Sequence, residues 1–346
     1  MITGSTSSKN AISLWLLIVM LLVAAIIVVG GATRLTNSGL SITEWAPITG
    51  ALPPLSTEAW LAEFEKYKLI PEFEAEHPDM DLAGFKFIYF WEWAHRQLGR
   101  FIGLAYVVPL LIFAVRKKLP EDKGLLFLIP AVLIGCQGAI GWWMVHSGLQ
   151  EGMVNVSQYR LATHLGMAFI ILAILYWLRK STLNEFRRPP ENAFLMKRTG
   201  ILAGLVYLQI IAGAFVAGTK SGLSYNTWPL MDGSFIPSGY FVQTPMWRNL
   251  FENTPAIQFN HRMLAYIILA WAIWVWVKAR GTYLQGIATM FMVILLWQVV
   301  LGIVTLLTGV ENDALHIGLA LGHQFSSILV FVIALGLFWK SRHFIR

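Results

Sequence analysis

Eight long apolar runs, separated by polar connections, dominate this chain. They cover approximately residues 11–33, 87–115, 124–145, 157–178, 199–218, 257–277, 283–307 and 315–339. An α-helix needs about 20 apolar residues to cross a hydrocarbon core of about 30 Å, and every run meets that length. The runs do not alternate between polar and apolar residues, as the strands of a membrane barrel would. The pattern therefore predicts an all-α integral membrane protein with eight transmembrane helices.

Composition agrees with a membrane protein. Hydrophobic residues make up 56% of the chain and charged residues 13%, which is far more apolar than a soluble globular domain. No Arg-rich, acid-poor transit segment precedes the first run, so we expect a bacterial plasma (inner) membrane with lipid around the helices.

The charged residues divide between the two sides of the predicted bundle. Lys and Arg concentrate in the even-numbered connections, at residues 116–123, 179–198 and 278–280, whereas the odd-numbered connections, with residues 34–86 the richest, hold most of the acids. Cytoplasmic loops carry the excess of Lys and Arg, so both termini are expected in the cytoplasm. The net charge of +7 is then a topology signal, and the absence of a soluble basic face argues against a nucleic-acid partner.

The chain repeats a set of motifs in its two halves. Ser38-Gly39-Leu40-Ser41 returns as Ser221-Gly222-Leu223-Ser224, and the later pairs are Trp45 with Trp228, Gly50 with Gly233, Gln137 with Gln298, Gly141 with Gly302 and Gly148 with Gly309. Four helices bring the chain back to its starting side, so the halves share one orientation. We predict two repeat-related four-helix bundles, residues 1–190, with the long outer loop, and residues 191–346.

Histidines stand at matching places in both halves. His95-Arg96 and His261-Arg262 open equivalent apolar runs, and His164 and His323 follow two runs later at similar depth. Ionisable residues at that depth are functional candidates, and neutral imidazole is a common axial ligand to haem iron. The four histidines therefore predict two haem sites, each held from both faces. His316 could share the face of His323, but we expect it at the membrane interface.

The other histidines carry less weight. His77, His146 and His343 fall in predicted loops or in the tail, where solvated surface histidines are expected.

One position breaks the symmetry between the halves. Glu92 lies three residues before His95 and on the same helical face, whereas Gln258 lies three residues before His261. Glu92 either forms an ion pair with Arg96 or Arg100, or acts on protons or developing positive charge beside the first macrocycle. The missing acid at Gln258 favours the second interpretation, and so points to chemistry in the first half.

Four basic residues near the outer ends of the helices are candidate contacts for haem propionates. They are Arg34, Arg96, Lys220 and Arg262, and we treat Arg34 and Lys220, which both precede a Ser-Gly-Leu-Ser string, as counterparts. Anchoring to lipid headgroups is the equally good alternative for any one of them.

Small residues recur along several apolar runs. They include Gly135, Gly138 and Gly141 in the third run, and Gly213 and Gly218 in the fifth. Small side chains let transmembrane helices approach closely, so these glycines are predicted at helix–helix contacts.

Together these motifs resemble the haem A synthase family across nearly the whole chain. The segments that carry the resemblance are Gly31-Ala32-Thr33-Arg34-Leu35-Thr36 with Ser38-Gly39-Leu40-Ser41, Glu92-Trp93-Ala94-His95-Arg96, Tyr159-Arg160-Leu161-Ala162-Thr163-His164, Asn260-His261-Arg262 and His323-Gln324. The resemblance implies an oxidoreductase that converts the C8 methyl of haem O to a formyl group by successive hydroxylation, with water as the oxygen source.

The same resemblance implies roles for particular residues and partners. His261 and His323 would ligate a haem b cofactor, His95 and His164 would flank the haem O substrate, and Glu92 would be catalytic. A haem O synthase, an electron acceptor and cytochrome oxidase assembly factors are the implied partners. Some family members carry a cysteine pair in the first outer loop, but residues 34–86 contain no cysteine here.

A di-haem electron-transfer cytochrome linked to quinol is the main alternative, and a haem transporter or chaperone is the third. Bis-histidine haems in helical bundles suit all three classes. The difference between Glu92 and Gln258 favours the enzyme, because neither alternative needs a carboxylate at only one site.

Overall fold

The computed structural model describes residues 6–120, 123–183, 192–310 and 313–342. Part of the basic connection at 179–198 lies outside the described residues, as does the tail with His343.

All eight predicted membrane helices are present in the described chain. They are α1 (Thr6–Leu35), α4 (Leu82–Val115), α5 (Leu128–Gly148), α6 (Gln158–Leu183), α7 (Ala193–Gly218), α9 (Thr254–Ala279), α10 (Gln285–Leu307) and α11 (Ala314–Arg342). Each is long and apolar enough to span a membrane. Three shorter helices lie in the connections: α2 (Thr57–Lys68), α3 (Pro71–Glu76) and α8 (Asn249–Glu252). The protein is therefore an all-α, multi-pass membrane protein.

Several helices extend beyond their apolar runs, and α4 shows the physical reason. It begins at Leu82 instead of near residue 87, and the side chain of Asp81 caps it by accepting a hydrogen bond from the N–H of Gly84 at 2.8 Å. Phe85, in its first turns, is fully buried against the helices of the outer loop. A cap and tertiary burial thus continue the helix past the hydrocarbon core.

The described chain divides into two compact units, with the boundary between Leu175 and Tyr176 inside α6. In the first unit α4 packs against α1 and α5. In the second unit α7 packs against α9 and α11, and α10 packs against the same two helices. The division into repeat-related halves at residue 190 stays a prediction.

The outer loop of the first unit has its own small core. Phe64 and Tyr67 of α2 pack against Phe85 and Tyr89 of α4, and all four side chains are buried. His77 lies beside this cluster, with its Nδ1 2.7 Å from the Tyr67 hydroxyl. His77 is therefore half-buried and hydrogen-bonded, in contrast to the fully solvated histidine expected at this position.

Candidate functional site

The first unit brings the imidazole rings of His95 of α4 and His164 of α6 close together. Their ring centroids lie 6.5 Å apart, with 62° between the ring planes. A metal–imidazole bond is about 2.0–2.1 Å, so two imidazoles on opposite sides of one metal ion have ring centres roughly 6 Å apart. Nδ1 of each ring is buried without a hydrogen-bond partner among the described residues. This pair fits the axial ligation of a haem-like group.

The second unit carries the equivalent histidines, with glutamines against their rings. The side-chain amide of Gln209 lies 3.2 Å from both ring nitrogens of His261. The amide of Gln298 lies 3.3 Å from Nε2 of His323, while the hydroxyl of Ser326 donates to the Gln298 side-chain oxygen. These polar groups make the surroundings of the second pair more hydrogen-bonded than those of the first.

At the corresponding positions the first unit has one different residue and one different hydrogen bond. Ile26 stands where the second unit has Gln209, and Gln137 donates to the backbone carbonyl of His164 at 2.9 Å. Sequence reasoning missed Gln209, although a lone amide within an apolar run was the available signal.

Each site offers two imidazoles. Within the described residues, no group of three or more His, Cys, Asp or Glu side chains is placed to hold a metal ion. Two histidines suit a metal ion whose equatorial ligands come from a macrocycle, so the donor set fits haem iron.

Glu92 is buried at the centre of a hydrogen-bond network. The carboxylate is 3% exposed, and its Oε2 accepts 2.8 Å hydrogen bonds from the Ser41 hydroxyl and from the backbone N–H of Ile42. Its Oε1 is 2.6 Å from the guanidinium of Arg96. The ion pair expected with Arg96 or Arg100 is therefore formed with Arg96.

Arg96 and Arg262 hold equivalent backbone segments in their two units. Arg96 donates to the carbonyls of Ile42 and Glu44 at 2.9 and 3.0 Å. Arg262 donates to the carbonyls of Tyr225 and Thr227 at 2.8 and 2.9 Å. In each unit, these carbonyls belong to the first and third residues after the Ser-Gly-Leu-Ser string.

Gln258 takes the place of Glu92 in the second unit, and it reverses the direction of one hydrogen bond. Its side-chain amide donates to the carbonyl of Tyr225 at 3.2 Å, whereas the carboxylate of Glu92 accepts from the N–H of Ile42. Like Glu92, Gln258 is 3% exposed. The two units thus share an architecture but differ in one buried charge.

The other basic candidates occupy separate positions. Arg34 donates to the Asn37 side chain at 3.4 Å, and Lys220 lies directly before Ser221 in a left-handed backbone conformation. The counterpart of Lys220 is Asn37, which also has a positive φ, so the pairing of Lys220 with Arg34 was wrong. Contacts of these side chains with haem propionates stay predictions.

The remaining described histidines lie away from the two pairs. His316 is in the first turn of α11, where its N–H donates to Asp313. His146 is exposed, as expected, but it belongs to the last turn of α5 instead of a loop.

Comparison with known proteins places these features in one family. A family model described as cytochrome oxidase assembly protein (COX15-CtaA) matches residues 13–335. A protein named heme A synthase from Dinoroseobacter shibae is 45% identical over 351 residues, covering 98% of this chain and 89% of that protein. The heme A synthase of Paracoccus denitrificans is 44% identical, covering 99% and 90%. That of Parvibaculum lavamentivorans is 46% identical, covering 95% and 93%.

Proposed function

The chain belongs to the COX15-CtaA family of cytochrome oxidase assembly proteins, and on that premise we propose that it is a haem A synthase. The enzyme would be an oxidoreductase that converts the C8 methyl of haem O to a formyl group. The observation that carries the proposal is the buried carboxylate of Glu92, where the otherwise equivalent network of the second unit has Gln258. Two permanent electron-transfer haems would not require that difference.

His95 and His164 would hold the substrate, and His261 and His323 would hold a haem b cofactor. Within the described residues, Nδ1 of His95, His164 and His323 is buried without a hydrogen-bond partner, which agrees with imidazoles held for a metal ion in both units. The glutamine amides beside His261 and His323 distinguish the second site from the first, and we assign the permanently bound haem b to it. Bound haem b would supply a one-electron redox couple.

The proposed reaction needs water and an electron acceptor. Oxidation of the methyl to the aldehyde consumes one water in total and releases four electrons and four protons. It proceeds through a hydroxymethyl compound, which a second hydroxylation converts to a hydrated aldehyde that loses water. The electrons leave to an acceptor, and the protons need a base near the substrate.

Glu92 would be that base, and would stabilise positive charge that develops at the reacting carbon. Ser41, Ile42 and Arg96 hold both carboxylate oxygens, so the group is oriented before the substrate arrives. Such preorganisation matters because a fixed charge costs no rearrangement during the reaction.

The cellular setting follows from the same proposal. We place the protein in a bacterial plasma membrane with both termini in the cytoplasm. A haem O synthase would supply the substrate, and cytochrome oxidase assembly factors would receive the product. The farnesyl tail of haem O gives the substrate a reason to remain within the membrane.

Pigment analysis of purified protein tests the proposal. Wild type, Glu92→Gln and the control Gln258→Ala would be co-expressed with a haem O source, and the haems would be extracted with acid and separated by chromatography. Wild type and control are expected to contain haem A. Glu92→Gln should stop at haem O or a hydroxylated compound, with conversion roughly 10²-fold slower or more.

Glu92→Gln is the informative variant because the second unit already folds around glutamine at this place. Two equivalents of unmodified haem b in both wild type and variant would refute the enzyme and support the electron-transfer cytochrome. Full haem A formation by Glu92→Gln would refute the role of the carboxylate while leaving the activity itself intact.

A further inference from the structure

Each of the four paired histidines lies against a glycine on a neighbouring helix. A β-carbon added to Gly30 would lie 2.8 Å from Cε1 of His95, and one added to Gly141 would lie 2.9 Å from Cε1 of His164. In the second unit, a β-carbon added to Gly302 would lie 2.8 Å from Cε1 of His323, and one added to Gly213 would lie 3.3 Å from Cε1 of His261. The nearest atom is Cε1 of the ring in every case.

The contact is selective among glycines of the same helices. A β-carbon built at Gly138, Gly204 or Gly286 would have no atom of the described residues within 4 Å, apart from the neighbouring backbone of its own helix. These residues share α5, α7 and α10 with Gly141, Gly213 and Gly302. Gly135 also faces open space, so the prediction that Gly135 and Gly138 allow close helix approach was wrong.

We propose that Gly30, Gly141, Gly213 and Gly302 are positioning residues that set how the four imidazoles are turned toward haem iron. This inference rests on the proposed haem ligation by the four histidines. A carbon–carbon approach of 2.8 or 2.9 Å is well inside van der Waals contact, so a β-carbon would force the imidazole to move.

That movement would change ligation because a histidine side chain has few staggered positions. A ring forced out of its present position would move the nitrogen that would bind iron. The glycine thus acts through the histidine, and does not itself touch the haem.

A purely structural role for the glycines predicts a different result. Alanine is intrinsically a better helix former than glycine, so a substitution in open space should leave the helix intact or stabilise it. Only a glycine that supports a ring should lose haem ligation when alanine replaces it.

The experiment compares Gly302→Ala with Gly286→Ala on α10, and Gly141→Ala with Gly138→Ala on α5. Full-length protein is purified in detergent, and three quantities are measured: haem per protein, the electron paramagnetic resonance signal of the oxidised haem, and its reduction potential. Gly302→Ala should lower the affinity for haem b roughly 10–100-fold, or convert the low-spin signal to high spin, as loss of ligand support does at other metal sites.

Gly141→Ala should do the same to bound haem O, measured in the Glu92→Gln background so that the substrate stays unconverted. Gly138→Ala and Gly286→Ala should have the same haem content, resonance signal and reduction potential as the proteins from which they are made. Gly213→Ala provides a milder variant, because its clearance from His261 is 3.3 Å; it should keep haem but shift the signal and the potential.

Unchanged haem content, signal and potential in Gly302→Ala and Gly141→Ala would overturn the inference, as would equal losses in the control variants. His323→Ala and His164→Ala separate this from failure of the proposed ligation. If those variants keep the low-spin signals of their sites, the histidine assignment is wrong. If they lose the signals while the glycine variants keep them, only the positioning role is wrong.

Discussion

Arg96 and Arg262 make the same backbone contacts, but Arg96 also forms a close ion pair with the buried carboxylate of Glu92. Each guanidinium joins a membrane helix to the segment that follows the Ser-Gly-Leu-Ser string. Charge-assisted hydrogen bonds to carbonyls are stronger than neutral ones, and the planar fork of arginine reaches two acceptors at once. The arginines therefore share a backbone role, and Glu92 adds a buried ion pair to it in the first unit.

Substituting each arginine should separate the effect of the backbone hydrogen bonds from that of the ion pair with Glu92. Arg96→Met leaves the buried carboxylate of Glu92 without its cation, and should destabilise the protein by about 3 kcal/mol, the low end for a broken buried pair because Arg96 is partly exposed. Arg262→Met loses hydrogen bonds to carbonyls and a weaker electrostatic interaction with Asp232, about 1–3 kcal/mol. Thermal unfolding in detergent, followed by loss of the monodisperse chromatographic peak, measures both.

The double variant Glu92→Gln with Arg96→Met supplies the control. Removing the charge should restore part of the stability lost in Arg96→Met. If Arg96→Met and Arg262→Met lose equal stability, and the double variant is no more stable than Arg96→Met, the ion pair contributes nothing to stability.

At the scale of elements, the outer-loop helices α2 and α3 extend the first unit beyond the membrane. Tyr67 of α2 is fully buried, and burial raises the pKa of its hydroxyl. Burial also lowers the pKa of His77 below its usual 6.5, with Glu76 opposing the shift. The loop core therefore holds its histidine in the neutral form.

This burial makes the stability of the loop depend on pH. A histidine whose pKa is lower in the folded loop binds its proton more readily when the loop opens. Its contribution is therefore complete above the usual value of 6.5, and decreases as pH falls from there toward the lowered pKa. Hydrogen exchange of α2 and α3, corrected for intrinsic rates, should show several-fold less protection at pH 5.5 than at pH 7.5.

His77→Asn is the matched variant, because an amide retains hydrogen-bonding ability next to Tyr67 without titrating. Its protection should vary less with pH than that of the wild type, while substitution of the exposed His146 should change nothing. A pH dependence that survives His77→Asn would assign the effect to other groups, the loop carboxylates first.

At the scale of the whole molecule, each compact unit contains its own pair of histidines. His95 and His164 both lie in the first unit, and His261 and His323 both lie in the second. On the proposed ligation, each site takes both of its histidines from one unit, so we expect binding at one site not to depend on histidines of the other.

Paired substitutions should show this independence. His261→Ala with His323→Ala should abolish the resident haem b and all formation of haem A. His95→Ala with His164→Ala should keep one low-spin haem b per protein but fail to retain haem O. Haem extraction together with optical spectra of the reduced protein gives the stoichiometry, and loss of both haems from either double variant, in protein that remains monodisperse, would contradict separate sites.

Much of this architecture was readable from the chain. Long apolar runs predict the membrane helices because lipid leaves no other way to satisfy the backbone, and the eight helices were confirmed. Helix ends were less predictable, since Asp81 and the packing of Phe85 decide where α4 begins. Loop packing is likewise why His77 is partly buried.

By itself, the sequence determined the number of membrane helices, the repeated placement of the four histidines, and the single acid at Glu92. Those features depend on residue type and helical spacing, which are local. Only the tertiary structure decided that Glu92 pairs with Arg96, because Arg100, one turn further on, donates instead to the carbonyls of Ala46 and Pro47. Only the structure distinguished glycines that face imidazole rings from those that face open space, since that choice depends on how neighbouring helices are turned about their axes.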